Sequence, residues 1–367
     1  MHATLIIAAA AHHGGGGSPL TYFQSAVLGV LQGVTELFPI SSLGHTVLFP
    51  TLFGWTGLVK AQSRPESFWL AFVVMLHVGS ALGLLAYFWR DWIAIIRAFF
   101  VSLGRRRIET PTEKLAWLIV IASIPTGILG LTLEHPLRVL FAKPTAAAIF
   151  LMVNGVILLG AERLRRRAPV RASVPDAYAY AGAGPGSGGG DVREAAPEPG
   201  GAGVIAPERI TGETVTDSGG SGLLAPTLVA GDAPAADEAD ELSQITFRDA
   251  AGIGLAQSTA LVAGISRDGV AMSAGLLRGL DNETAARYAF LLASPIILAA
   301  GIFKFSDLTG PLGNGIRGQA IVACVCAAIT AVITVHWLVR YFRTRTLTPF
   351  GFYCLAFGLA MTIYTTT

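Results

Sequence analysis

The sequence predicts an all-α, polytopic membrane protein with an inverted-topology repeat, in which each half contains one re-entrant helical hairpin and three transmembrane helices. The composition is the first observation behind this prediction. Of the 367 residues, 52% are hydrophobic and 14% are charged, whereas soluble domains carry about 25% charged residues. The mean hydropathy is +0.58. The second observation is a series of long apolar runs, and the third is an internal similarity at a constant offset.

Six apolar runs approach or exceed the roughly 20 residues that a membrane-crossing helix needs. They cover residues 68–90, 114–133, 145–162, 285–305, 318–341 and 348–365. Two further segments, 22–50 and 249–280, are apolar but are interrupted by glycine, proline and polar residues. Irregular backbone is tolerated at membrane depth only where protein or a water-filled cavity surrounds it. We therefore predict that these two segments are the re-entrant hairpins.

The apolar pattern divides the chain into four parts. Residues 1–18 form a flexible N-terminal tail, and residues 19–165 form the first membrane repeat. Residues 166–245 are rich in glycine, alanine and proline, and their acidic residues far outnumber the basic ones. Such a segment buries too little apolar surface to offset its conformational entropy, which predicts a disordered acidic linker. Residues 246–367 form the second membrane repeat.

Arginine clusters predict the orientation of the spans, because cytoplasmic loops carry an excess of lysine and arginine. Clusters follow the first, third and fifth apolar runs, and include Arg105–Arg107, Arg165–Arg167 and Arg340 with Arg343. Placing all of them in the cytoplasm makes the linker cytoplasmic and puts both termini outside. The two halves are then antiparallel in the membrane.

An offset of 225 residues aligns the two hairpin segments without a gap. The identities are Gly29 with Gly254, Gln32 with Gln257, Ile40 with Ile265, Ser41 with Ser266, and Gly44 with Gly269. Inverted repeats of this kind place a polar site near the membrane midplane, at the interface of the repeats. The alignment therefore predicts that the hairpins meet and that their polar residues face one cavity.

The hairpins carry ionisable and hydroxyl side chains that lipid does not tolerate without pairing or function. They are Glu36, Ser41, Ser42 and His45 in the first hairpin, and Ser266, Arg267 and Asp268 in the second. Arginine, hydroxyl and backbone N–H groups suit a phosphate. An imidazole acts as acid or base near neutral pH, and a serine beside it can be a nucleophile. A simpler interpretation is an ion pair that only holds the hairpins together.

His77 lies in the middle of the first apolar run. We interpret it as a histidine that packs inside the helix bundle rather than as a site residue. Ser80, one turn further along, is its expected hydrogen-bond partner.

Two motifs carry a resemblance to a known family. The first runs Gln32-x-x-x-Glu36 and then Phe38-Pro39-Ile40-Ser41-Ser42-x-Gly44-His45, and the second is Ala263-Gly264-Ile265-Ser266-Arg267-Asp268-Gly269-Val270-Ala271. They resemble the motifs of the bacterial undecaprenyl-diphosphate phosphatases of the bacitracin-resistance type, whose second motif reads Pro-Gly-x-Ser-Arg-Ser-x-x-Thr. The resemblance covers residues 19–165 and 246–367. It implies a homodimeric, multi-pass protein of the bacterial plasma membrane.

The resemblance also implies an activity, namely hydrolysis of undecaprenyl diphosphate to undecaprenyl phosphate and inorganic phosphate. This recycles the carrier lipid of cell-wall synthesis and confers bacitracin resistance. A divalent cation, Mg²⁺ or Ca²⁺, is the implied cofactor, and no nucleic-acid partner is expected. The implied catalytic residues are Glu36, Ser42, His45 and Arg267. The implied substrate-binding residues are Gln32, Ser41, Gly44, Gly264, Ser266 and Gly269.

The second motif departs from the family pattern at Ala263, Asp268 and Ala271. Asp268 places a carboxylate beside Arg267, in a motif where the family has serine. We hypothesise that Asp268 joins Glu36 as a ligand of the cation. Two alternatives to the phosphatase remain, both with the same fold. One is a polyprenyl-phosphate transporter or flippase, and the other is a catalytically weak paralogue that binds the lipid.

Overall fold

The computed structural model describes residues 20–62, 68–141, 143–167, 242, 244–303, 309–310 and 314–367. These residues form twelve α-helices and one short 3-10 helix, and no strand occurs among them. The prediction of an all-α fold is confirmed for this part of the chain. The predicted tail, 1–18, and most of the predicted linker, 166–245, lie outside the described residues.

The helices are numbered in chain order. They are α1 (Tyr22–Thr35), α2 (Ser42–Leu52), α3 (Thr56–Gln62), α4 (Phe68–Tyr87), α5 (Trp89–Arg105), α6 (Pro111–Phe141), α7 (Pro144–Arg167), α8 (Phe247–Gln257), α9 (Arg267–Leu277), α10 (Asn282–Phe303), α11 (Arg317–Phe342) and α12 (Thr348–Thr366). The 3-10 helix, Ser258–Leu261, follows α8 directly.

Four of the described helices, α6, α7, α10 and α11, are long and apolar enough to cross a membrane. They coincide with four of the six predicted spans, and they make the chain a multi-pass membrane protein. The first predicted span, 68–90, corresponds to α4, which meets α5 at a bend of 85° near the end of that span. They count as a fifth crossing if the bent pair is one span. The sixth run forms α12, which is not among the helices that meet this criterion.

The main hydrophobic core surrounds α10, which packs against α4, α6, α9 and α11. Tyr288, Phe290 and Leu292 of this helix are fully buried. An ion pair of 2.6 Å joins Arg287 of α10 to Asp91, which lies just after the bend between α4 and α5. The helix α10 therefore supports both the bent segment and the second hairpin segment.

The first helices of the two hairpin segments begin in the same way. Thr21 precedes α1 and Thr246 precedes α8, 225 residues further along the chain, and each threonine is the N-cap of its helix. In both cases the side chain of the third helical residue, Gln24 or Asp249, bonds back to the N-cap backbone. These reciprocal capping boxes satisfy N–H groups that the first turn would otherwise leave without a partner.

The second helices of the hairpin segments also correspond at the same offset. Both α2 and α9 have 11 residues, and their N-caps are Ser41 and Ser266. The two serine hydroxyls accept hydrogen bonds from the N–H groups of Gly44 and Gly269, at 3.2 and 3.1 Å. The offset found in the sequence therefore matches the starts of both helices in each hairpin segment, and the ends of α2 and α9.

Each hairpin segment packs its first helix against a span from the other half of the chain, α1 against α11 and α8 against α6. Glycine permits both approaches. A Cβ atom on Gly29 would lie 2.5 Å from the carbonyl oxygen of Ala323, and one on Gly254 would lie 2.1 Å from that of Ala122. Small residues at such positions let helix backbones approach closely inside a membrane.

We predict that Gly254→Ala destabilises the protein, because the added methyl group overlaps the backbone of α6. Overpacking of this kind costs about 1–3 kcal/mol. Thermal unfolding in detergent, followed by tryptophan fluorescence, should show a lower midpoint. Gly127→Ala in α6 is the matched control, since a Cβ atom there meets no other atom within 4 Å. A wild-type midpoint for Gly254→Ala would contradict the proposed close contact.

Candidate active site

The carboxylate of Glu36 is the centre of a buried polar cluster where the two hairpin segments meet. Glu36 is the C-cap of α1 and is 5% exposed. Gln32, one turn earlier, donates from Nε2 to Glu36 Oε2 at 2.9 Å. The hydroxyl of Ser42, the first residue of α2, donates to the same oxygen. The break between α1 and α2 therefore turns the serine back onto the carboxylate.

Arg267 brings the second hairpin segment into this cluster. It is the first residue of α9, and its guanidinium forms an ion pair with Glu36 Oε1. The arginine side chain is 16% exposed, so it remains accessible from one side. The sequence predicted that polar residues of the two hairpin segments meet, and the structure brings Glu36 and Arg267 together across 231 residues of sequence.

Asp268 is buried beside this ion pair. Asp268 is 1% exposed, and its Oδ1 lies 3.7 Å from Arg267 Nε. Its two carboxylate oxygens accept no hydrogen bond from the described residues. Because a buried carboxylate without donors is costly, such a group calls for a functional explanation. The Oε1 atom of Gln32 likewise has no hydrogen-bond partner within the described part of the chain.

His77 contacts the cluster from α4, and its interpretation as a packing histidine did not include these contacts. Its Nε2 lies 3.4 Å from Glu36 Oε2 and 3.5 Å from Ser42 Oγ. Its Nδ1 lies 2.8 Å from the carbonyl oxygen of Val73. Ser80, the expected partner, instead bonds the Leu76 carbonyl oxygen at 3.4 Å. The sequence signal for His77 was an ionisable residue in the middle of a span.

His45 lies in α2 but faces a different environment. Its Nδ1 is 2.7 Å from the carbonyl oxygen of Ser41, and its Nε2 is 2.8 Å from the hydroxyl of Tyr353 in α12. The imidazole stacks on the rings of Tyr353 and Phe357, with centroids 5.7 and 5.3 Å away. The residue is fully buried. Both ring nitrogens are therefore engaged outside the Glu36 cluster.

Ser41 and three glycines build the junction between the hairpin segments. The Ser41 hydroxyl accepts hydrogen bonds of 3.2 Å from the N–H groups of both Gly44 and Gly264. Ser41 itself has a left-handed φ of 70°, and Gly264 has a φ of 107°. A Cβ atom on Gly44 would lie 3.0 Å from Gly264 Cα. The Ser266 hydroxyl likewise accepts a hydrogen bond from the N–H of Gly269. In this structure, these predicted substrate-binding residues contact one another and hold the junction together.

Asn154 in α7 ties the two chain breaks together, although it belongs to neither motif and was not predicted as a site residue. Its amide nitrogen donates to the carbonyl oxygen of Pro39 at 2.9 Å, and its amide oxygen accepts from the N–H of Ser266 at 3.0 Å. The residue is fully buried. Its polar position inside an otherwise apolar span was the available signal. One side chain thus satisfies a backbone group from each hairpin segment.

We predict that Asn154→Leu lowers the thermal unfolding midpoint in detergent. The substitution leaves a buried carbonyl and a buried N–H without partners, at about 1–3 kcal/mol each. Cys354→Ser is the control, because it changes only the third contact of Asn154, a 3.4 Å approach to the cysteine sulfur. An Asn154→Leu midpoint at or above that of the wild type would contradict the bridging role.

The arrangement suits phosphoryl chemistry. Arg267 is a ready partner for phosphate oxygens, and Ser42 is a hydroxyl flanked by a carboxylate and an imidazole. The first residues of α2 and α9 both belong to the cluster, so both helix N-termini direct partial positive charge toward it. Within the described residues, no three His, Cys, Asp or Glu side chains are grouped to hold a metal ion by themselves. Two carboxylates, Glu36 and Asp268, are the available anionic ligands.

Comparison with known proteins identifies the family. The family model described as "Bacitracin resistance protein BacA" matches residues 25–182 and 219–360. Undecaprenyl-diphosphatase 2 of Frankia alni is 50% identical over 349 residues, which cover 94% of this chain and 98% of that protein. The undecaprenyl-diphosphatase of Mycolicibacterium paratuberculosis is 43% identical over 350 residues, which cover 94% of this chain and 97% of that protein. The chain belongs to the bacitracin resistance protein BacA family.

Proposed function

We propose that this protein is an integral-membrane phosphatase that hydrolyses undecaprenyl diphosphate to undecaprenyl phosphate and inorganic phosphate. This reaction recycles the carrier lipid of cell-wall synthesis and confers resistance to bacitracin. The observation that carries the proposal is the convergence of Glu36, Ser42 and Arg267 at the hairpin junction. The relatives named undecaprenyl-diphosphatase cover nearly the whole chain and support the same activity.

Binding of the diphosphate is assigned to Arg267 and to the N-termini of α2 and α9. The guanidinium is partly exposed and already lies in the cluster, so it can bind phosphoryl oxygens with little rearrangement. The apolar helix surfaces around the cluster suit the prenyl tail, which stays in the lipid. The nucleophile that attacks the terminal phosphorus is the Ser42 hydroxyl or a water molecule beside it.

A divalent cation, Mg²⁺ or Ca²⁺, completes the proposed site. Mg²⁺ commonly uses only one or two protein carboxylates together with phosphate oxygens of the substrate, so the two carboxylates here fit it. Glu36 and Asp268 would hold the ion, and the Asp268 oxygens accept no hydrogen bond from the described residues. When bound, the cation neutralises charge on the phosphoryl oxygens.

The proposed architecture is an inverted repeat with two re-entrant hairpins. Three features support it: the shared offset of 225 residues, the matching N-caps, and the reciprocal packing of α1 on α11 and α8 on α6. The arginine clusters support cytoplasmic placement of the linker, with both termini outside. The homodimer remains an expectation from the family resemblance.

A transporter or flippase of polyprenyl phosphates is the second candidate function. The repeated hairpins favour it, because inverted repeats with a polar site at their interface are typical of transporters. The catalytically weak, lipid-binding paralogue is favoured by Asp268 and Ala271, where the family motif has hydroxyl residues. Both alternatives predict binding of the lipid without release of phosphate.

We predict that Glu36→Ala and Arg267→Ala each abolish phosphate release from undecaprenyl diphosphate. The first removes the centre of the cluster, and the second removes the main cationic partner of the substrate and leaves Glu36 without its counterion. The measurement is colorimetric phosphate release by the purified full-length protein in detergent. Arg105→Ala and Glu109→Gln are matched controls. These two residues form an exposed ion pair outside the cluster, with 3.3 Å between their charged atoms.

Retention of activity in either cluster variant would overturn the proposed roles. Absence of phosphate release by the wild-type protein, together with retained binding of the lipid, would favour the transporter or the weak paralogue. Transport of a fluorescent polyprenyl phosphate across liposome membranes then separates those two alternatives.

We predict that Asp268→Ser weakens the binding of the divalent cation on which activity depends. The variant restores the family's serine and removes one of the two carboxylates. We expect phosphate release to need at least several-fold more Mg²⁺ for half-maximal activity, as measured by titration after treatment with a chelator. Asp281→Asn, at the N-terminus of α10, controls for the loss of an acidic residue outside the cluster. An unchanged cation requirement would exclude Asp268 as a ligand.

A further inference from the structure

One side of helix α5 is left uncovered by the described part of the chain, away from the Glu36 cluster. We propose that α5 lies flat in the membrane interface and binds the headgroups of anionic phospholipids through Arg90 and Arg97. The inference goes beyond the proposed function and does not depend on the activity. It is carried by the bend of 85° before the helix, and by an apolar and a basic stripe along its exposed side.

The apolar stripe runs the full length of α5. Its members recur at intervals of three and four residues, so they share one face of the helix. Each of them is between 47% and 64% exposed: Trp89, Ile93, Ile96, Phe100 and Leu103. The helix has 17 residues and is therefore about 25 Å long. A continuous exposed row of this kind indicates that α5 contacts the acyl-chain region along its whole length.

A basic stripe lies beside the apolar one. Arg90 and Arg97 are two helical turns apart, so they project from the same side of α5, and both are exposed. The guanidinium of Arg90 lies over the ring of Trp89, 5.2 Å from its centroid. Neither arginine forms an ion pair with a described residue. Asp91 is the one acidic residue of α5, and it is buried and paired with Arg287. The exposed side of α5 is therefore positively charged.

The bend lies at the end of the helix bundle where arginines collect. Asp91, just after the bend, pairs with Arg287 in the second turn of α10. Arg343, just beyond α11, pairs with Glu283 in the first turn of α10 at 2.9 Å. The bend and the arginine clusters thus share one side of the membrane, and the excess of arginine predicts that this side is cytoplasmic. That leaflet carries a negative surface potential that attracts arginine.

The bend also sets the direction of α5. Helix α4 has 20 residues and is about 30 Å long, which suffices to cross the hydrocarbon core without α5. A helix that turns by 85° from such a span lies close to the membrane plane. The position of Arg97 agrees with this direction. If α5 crossed the membrane, the exposed guanidinium in the middle of the helix would lie in hydrocarbon at a large cost.

An anionic lipid surface fits both stripes. An interfacial helix buries its apolar face at the boundary of the acyl chains, while its basic residues meet the headgroups. A second copy of this chain could cover the apolar stripe. The same face of that copy would bring no carboxylate to Arg90 and Arg97, because Asp91 is buried. Charge complementarity therefore selects anionic headgroups as the partner.

The first test measures the depth of α5 in liposomes of phosphatidylglycerol and phosphatidylcholine. The full-length protein carries one nitroxide label at a time, in a Cys326→Ala background, because the other two native cysteines are buried. The labelled substitutions are Ile93→Cys, Ile96→Cys, Phe100→Cys and Leu103→Cys. Electron paramagnetic resonance with oxygen and nickel relaxants should give one shallow depth for all four. A label at Ile329, which is 58% exposed near the middle of α11, gives the depth of the bilayer centre.

The second test measures lipid preference at the same place. A bimane fluorophore on Ile93→Cys is quenched by phosphatidylglycerol or phosphatidylcholine with brominated acyl chains. We expect phosphatidylglycerol to reach half-maximal quenching at a several-fold lower mole fraction, because the arginines attract its headgroup. The preference should be lost in Arg90→Gln/Arg97→Gln, and should fall when the salt concentration rises.

Arg166→Gln/Arg343→Gln is the matched control. It also removes two exposed arginines, but their guanidinium groups already pair with the carboxylates of Glu162 and Glu283. The control should keep the wild-type preference for phosphatidylglycerol. Both double variants replace exposed side chains, so both should keep the wild-type midpoint of thermal unfolding.

Three outcomes would overturn the inference. A graded depth from position 93 to position 103, over about 15 Å, would show that α5 crosses the membrane. Dipolar broadening between labels of two molecules would show that a second copy covers the apolar stripe. Equal quenching by the two lipids, or a preference that survives in Arg90→Gln/Arg97→Gln, would exclude the arginines as the headgroup site. Because neither test measures phosphate release, these failures are distinct from a failure of the proposed function.

Discussion

The ion pair between Glu36 and Arg267 is the interaction on which the rest of this structure depends. A lone buried carboxylate or guanidinium is costly inside a membrane protein, and each is tolerated because the other is present. The two residues belong to different halves of the chain, so the pair forms only if both hairpin segments reach the same point. The bonds of Ser41 to Gly264 and of Asn154 to Pro39 and Ser266 secure that meeting.

At this junction, a residue that binds the backbone is followed along the chain by a residue that faces the cluster. In each hairpin segment the N-cap serine satisfies backbone groups, and the next residue, Ser42 or Arg267, faces the cluster. These two cluster residues are themselves 225 positions apart, so the repeat supplies one functional side chain from the same place in each half. The symmetry stops at Glu36, whose counterpart at this offset is Leu261. The repeat thus builds the junction, while the Glu36 carboxylate, which has no counterpart in the second half, makes the site asymmetric.

The sequence predicted the local features of the site better than its long-range contacts. The broken hairpin segments, their offset and the meeting of their polar residues were predictable, because they follow from motifs and from the penalty for isolated charge in a membrane. The contacts of His77 with Glu36 and Ser42 were not predictable, since they depend on how α4 packs beside α1. The same holds for Asn154 and for the bend after Tyr87. The position of His45 in the first motif also predicted that it lies in the cluster. In the structure, α2 instead directs the ring of His45 toward α12.

The charge of the cluster gives Asp268 its significance. Glu36 and Asp268 face one guanidinium, and a diphosphate brings several further negative charges to the same place. Since charges in a low-dielectric site interact strongly, Arg267 cannot balance them by itself. A site with serine at position 268 would have one negative charge fewer before the substrate arrives. We therefore expect the aspartate to favour a bound cation, which would make the second hairpin segment contribute to metal binding as well as to anion binding.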